Sequence, residues 1–124
     1  MTGSFDETIE FGMWTVFDDS DVVHLVLSGE LDIAVAAMLG ERLTMLRNEG
    51  HATRLDLTEL DFIDSSGLHE LILARSEARS DSWRLDIDPH ITEPVRRAVE
   101  LAGVHSHLWP NGDQAKTGRG NQNV

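Results

Sequence analysis

The stretch Leu57-Thr58-Glu59-Leu60-Asp61-Phe62-Ile63-Asp64-Ser65-Ser66-Gly67-Leu68-His69-Glu70-Leu71-Ile72 contains the turn on which the fold reading depends. Upstream of it, Arg54-Leu55-Asp56-Leu57 alternates apolar and polar residues and reads as a short strand, and Phe62-Ile63 renews the apolar content. Downstream, Leu68, Leu71, Ile72 and Arg75 recur at the three- and four-residue spacing of one helix side. Between them, Asp64-Ser65-Ser66-Gly67 has the composition of a helix start. A strand therefore runs into a helix at an acidic, hydroxyl-rich turn.

Working outward, the same alternation of elements appears on both sides. Met13-Trp14-Thr15-Val16-Phe17 and Val22-Val23-His24-Leu25-Val26-Leu27 are two strand-like runs joined by Asp18-Asp19-Ser20-Asp21, the signature of a hairpin. Gly29-Glu30-Leu31-Asp32 breaks the strand pattern. Leu39, Leu43 and Leu46 then form a helical stripe that Gly50 is placed to stop. After the central stretch, Trp83 to Ile87 alternates as a strand and Asp88-Pro89 ends it. Thr92-Glu93-Pro94 opens a helix with Thr92 as its cap, Val95, Val99 and Ala102 as its stripe, and Gly103 as its stop. Val104 to Trp109 is a last apolar segment, a half-turn or strand closing the core.

Strands alternating with helices predict an α/β domain. Its sheet is expected to be mixed but mainly parallel, four- to five-stranded and flanked by helices, with an antiparallel hairpin at one side. The expected division is 1–12 as an N-terminal lead or edge strand, 13–109 as the domain, and 110–124 as a disordered tail. At 124 residues there is room for a single core.

Composition narrows the function classes. No apolar run approaches the ~20 residues of a membrane span, and the acidic first residues do not read as a secretory or transit peptide. The chain has no cysteine, hence no disulfide framework or thiolate metal site. A cytoplasmic location is the expectation. The formal net charge of −12 opposes nucleic acid and anionic membranes and favours a basic protein partner.

The turn at Asp64 is the candidate site. In sheets of this kind ligands meet the rim beyond the carboxyl ends of the strands, so Asp32 and Asp64 should emerge together there. Ser65 and Ser66 sit where free backbone N–H groups and the helix dipole favour an anion, and Gly67 should leave the approach uncrowded. Asp and Ser also begin helices for stability alone. From local chemistry alone, plain helix capping is the favoured reading.

Three stretches together resemble the STAS family, the sulphate-transporter and anti-sigma-antagonist domains. Phe62-Ile63-Asp64-Ser65-Ser66-Gly67-Leu68 is similar to its signature, Leu27-Ser28-Gly29-Glu30-Leu31-Asp32 to its Gly-Glu-Leu-Asp turn, and Pro94 through Val104 to its third helix. The resemblance implies an anti-sigma factor antagonist that binds an anti-sigma factor serine kinase when unphosphorylated. It further implies phosphorylation on Ser65, the first hydroxyl after the Asp, with loss of binding and reversal by a phosphatase. Asp32, Asp64, Ser66, Gly67 and His69 would flank the phosphosite and meet the partner. Phosphoserine adds about −1.5 to −2 charges. At roughly 6 Å from a carboxylate and an effective dielectric of ~20, each unit costs on the order of 3 kcal/mol before screening. Ser80-Asp81-Ser82-Trp83 departs from the family, whose members often carry Gly-Gly there, and so does His69-Glu70.

Other chemistries fit less well. Ser65 and His69 lie on one helix, whereas a nucleophile and its base usually converge from separate segments, and no Gly-x-Ser-x-Gly elbow is present. The chain is therefore not expected to be an enzyme. His105-Ser106-His107 lacks companion ligands and no metal is expected; no P-loop appears, and no cofactor is expected. The remaining alternative is a STAS binding or scaffold module of a stress-sensing or lipid-transport complex that works without phosphorylation.

Overall fold

The computed structural model describes residues 10–110. The expectations for the start of the lead, residues 1–9, and for a disordered tail over 111–124 lie outside the described residues. Within them the order is β1 Gly12–Phe17, β2 Val22–Leu31, α1 Ile33–Asn48, β3 Ala52–Ile63, α2 Ser65–Asp81, β4 Leu85–Ile87, α3 Glu93–Ala102 and α4 His105–Leu108. The described sheet has four strands in the order β1-β2-β3-β4. β1 pairs antiparallel with β2, and β2–β3 and β3–β4 are parallel. The predicted hairpin and the parallel strands separated by helices are both present.

Alternation explains which face is buried. Val23, Leu25 and Leu27 of β2, Leu55 and Leu57 of β3 and Leu85 and Ile87 of β4 are buried. They join the stripe Leu39, Leu43 and Leu46 of α1 and Leu68, Leu71, Ala74 and Ala78 of α2 in one apolar cluster. The other sheet face is more polar, with His24, Arg54 and Asp86 half-buried; Trp14 and Val16 of the edge strand are exposed. Each buried leucine contributes about 1.5–3 kcal/mol by leaving water, so the two-residue and 3.6-residue periods together define this core.

The strands before both turns are longer than sequence alternation suggests. β2 does not break at Gly29-Glu30-Leu31 but continues to Leu31. Gly29 takes a positive φ of 82°, and a Cβ there would stand 1.8 Å from the Glu10 carbonyl oxygen, so glycine is needed for the chain to pass. β3 likewise runs beyond Leu57 to Ile63. Val26 pairs with Asp56 and Leu31 with Ile63, so five steps on β2 face seven on β3, with register shifts between Val26 and Ser28 and between Gly29 and Glu30. Two extra residues in β3 turn its burial from every second position (Thr53, Leu55, Leu57) to every third (Leu57, Leu60, Ile63). Bulges hid the strand by spoiling its alternation.

Three further expectations are corrected. β4 is confined to Leu85–Ile87; Trp83 instead donates its indole N–H to the His51 carbonyl at 2.7 Å. Thr92 occupies the cap position of α3 without a side-chain capping bond, because its hydroxyl donates to the Leu60 carbonyl at 2.6 Å and ties α3 to β3. Val104 to Trp109 is neither half-turn nor strand: it forms the short helix α4, and Trp109 plugs the core, only 3% exposed, with its indole N–H on the Ile87 carbonyl. Gly50 and Gly103 adopt left-handed φ values after α1 and α3, as their positions in the sequence imply.

Candidate functional site

Two helices begin side by side at the carboxyl end of the parallel strands, each from an aspartate. Asp32 leaves β2 in an extended conformation, caps α1, and accepts the Ala34 N–H on Oδ1 at 3.0 Å. Asp64 leaves β3 in the same way and accepts the Gly67 N–H on Oδ1 at 3.0 Å. Its other oxygen, Oδ2, reaches across to accept the Ile33 N–H at 3.1 Å. One carboxylate thus caps both helices. The Asp64 backbone N–H also donates to the Leu31 carbonyl at 3.1 Å, fastening the two strand ends.

Ser65 is the first residue of α2 and is exposed. Ser66 and Glu70 are half-buried, and His69 is exposed one helical turn beyond Ser65. Ile33 and Ala37 from α1 and Ser65, Ser66, His69 and Glu70 from α2 line an open depression of about 450 Å³. Ile33 is 76% exposed at its edge, an aliphatic side chain standing in water beside a hydroxyl. The depression combines an apolar lip, two hydroxyls, an imidazole and a carboxylate, and is lined by the first turns of α1 and α2.

Of the six residues singled out from sequence, Ser65, Ser66 and His69 share this depression, and Asp32 and Asp64 cap the two helices whose first turns line it. Gly67 differs. It is buried, and a Cβ there would lie 2.7 Å from Leu31 Cγ and 2.8 Å from both Ile63 Cγ1 and the Leu31 carbonyl oxygen. Its task is to let the first turn of α2 press onto the strand ends, not to clear an approach for phosphate. Sequence reading missed Ile33, whose spacing from Ala36 and Leu39 fits the core stripe and conceals its exposure. It also missed Gly40, where a Cβ would stand 2.6 Å from Glu70 Oε1, so that the absent side chain lets α2 come close. Ser82 takes the left-handed conformation at the end of α2, φ 58°.

Among the described residues no group of three or more His, Asp and Glu side chains is arranged to hold a metal ion, and no helix is long and apolar enough to cross a membrane.

Comparison with known proteins agrees with this architecture. The family model described as "Mlab, STAS domain" matches residues 14–110. The anti-sigma-B factor antagonist of Listeria monocytogenes is 29% identical over 87 residues, covering 69% of this chain and 75% of that protein. An anti-sigma factor antagonist from Mycobacterium paratuberculosis superposes with a TM-score of 0.67 at 20% identity, over 80% of this chain and 83% of its own. SpoIIAA in its unphosphorylated form gives a TM-score of 0.63 at 18% identity, over 75% and 82%. The Bacillus protein in its phosphorylated form gives 0.55 at 18% identity, over 76% and 86%. The Listeria protein, the Mycobacterium protein and SpoIIAA are each named as an antagonist of an anti-sigma factor. With the family model spanning the whole described sheet apart from the first residues of β1, this chain belongs to the STAS domain family.

Proposed function

We propose that this chain is an anti-sigma factor antagonist of the cytoplasm, switched by phosphorylation on Ser65. The observation that carries the reading is the placement of Ser65: an exposed residue at the first position of α2, directly after the Asp64 cap and in one depression with the exposed Ile33. A kinase can reach it, and a partner resting on Ile33 must cover it. In the unphosphorylated state the depression docks an anti-sigma factor that is itself the kinase, which frees the sigma factor. Transfer of a phosphoryl group from ATP forms a P–O bond at Ser65 Oγ, whose proton is lost as ADP departs. The new dianion then stands in acidic company and would have to be stripped of water for the partner to return. A phosphatase acting on phosphorylated Ser65 restores docking. The similar structures of an antagonist in unphosphorylated and phosphorylated forms lend this reading its support.

Incubation with candidate anti-sigma kinases and ATP, followed by phosphosite mapping, tests it. Phosphate is expected on Ser65, lost in Ser65→Ala and retained in Ser66→Ala. Phosphate confined to Ser66 would move the switch by one residue, and stable binding of a partner without any phosphorylation would favour the scaffold module.

A further inference from the structure

We propose that His69 is the phosphate clamp of this switch, closing on phosphorylated Ser65 from one turn further along α2. The inference rests on Ser65 as the modified residue and adds the group that holds the modification. Ser65 and His69 stand four apart on an uninterrupted helix, where side chains meet with Cβ atoms about 5–6 Å apart. Helical Cα–Cβ bonds lean toward the N-terminus, which carries the His69 ring toward Ser65 and away from the following turn. Both residues line the same open depression, and the ring is exposed and therefore able to turn.

The surrounding charges make this ring the natural counter-ion. Asp32 and Asp64 cap the two helices at the rim, and Glu70 follows on α2 with its carboxylate against Gly40 of α1. The residues that α1 contributes to the depression, Ile33, Ala36 and Ala37, are uncharged. Among the described residues lining it, His69 alone can carry positive charge. A phosphomonoester dianion among carboxylates is stabilised by a cation, which an imidazole supplies when protonated.

The test needs no kinase. Full-length chain carrying phosphoserine at position 65, installed by genetic encoding, is titrated by ³¹P NMR beside the same protein with His69→Gln and with His69→Lys. The phosphate's second ionisation is expected about half a unit lower with His69 than with Gln, the threefold effect of an exposed ion pair, and Lys should restore the lowering. Coincident titrations for His and Gln, or no lowering with Lys, would overturn the clamp. That result would leave Ser65 phosphorylation intact, whereas failure of every anti-sigma kinase to modify Ser65 would defeat the switch and leave a positive titration standing.

Discussion

Removing the Asp64 side chain should cost more stability than removing Asp32, although both are helix caps at the same rim. Asp64 accepts N–H groups from two helices, Gly67 of α2 and Ile33 of α1, whereas Asp32 accepts the Ala34 N–H of α1. Loss of an N-cap side chain costs about 1 kcal/mol. The added bond to Ile33 contributes roughly 0.5–1 kcal/mol, kept modest because Ile33 is exposed and water can replace the carboxylate. Asp64→Ala should therefore lose about 2 kcal/mol and Asp32→Ala about 1. Asp64→Asn should fall between the wild type and Asp64→Ala. Its amide oxygen keeps one N–H, but its NH₂ group faces the other donor. Urea unfolding at pH 7 with an unchanged m-value measures the series, and a thermal midpoint lower by roughly 10 °C for Asp64→Ala is the parallel sign. If Asp32→Ala proves as damaging as Asp64→Ala, the bridging oxygen has no weight and the two helices are anchored independently.

Three other perturbations separate the parts of the account. Gly67→Ala forces a methyl group within 2.8 Å of Leu31 and Ile63; overpacking of about 1–3 kcal/mol, offset by up to ~1 in helix propensity, leaves a net loss of roughly 1–2 kcal/mol in urea unfolding. Ser82→Gly relieves a left-handed residue at the end of α2 and should add about 0.5–1 kcal/mol without touching binding, read as a thermal midpoint raised by a few degrees. For Asp88, burial raises the carboxyl pKa, but the His90 N–H and ring and the Arg54 guanidinium outweigh it and hold the group below the ordinary carboxylate value. Its charge therefore stabilises the fold above about pH 4, and that contribution is lost as pH falls through the depressed value. Asp88→Asn should cost up to ~1 kcal/mol at pH 7 and progressively less toward pH 2, as urea titrations across that range will show.

The sequence conveys the fold well where its signals are local. Leu39, Leu43 and Leu46 announce α1, the Val22–Leu27 run announces β2, and Gly50 and Gly103 mark helix ends, because period and backbone freedom act over a few residues. It conveys less where tertiary structure overrides period. The two bulges of β3 depend on its register with β2, so Leu60 and Ile63 fall out of alternation and the strand looks shorter than it is. For the candidate site, the sequence conveys that the Asp32 and Asp64 turns meet on one rim, since both are strand-to-helix turns. The second bond of Asp64 to Ile33, the buried role of Gly67 and the opening of Gly40 to Glu70 arise only when separate elements meet.

The central claim is that one phosphate, placed on an exposed hydroxyl between two capped helices, prevents a partner from docking there. Titration calorimetry tests it most directly, comparing one anti-sigma factor against unmodified chain and against chain with phosphoserine at position 65. The expected result is at least a tenfold weaker Kd for the phosphoprotein, the equivalent of about 1.4 kcal/mol, with backbone amide spectra of the two forms alike beyond the first turns of α1 and α2. Equal affinities would contradict the claim.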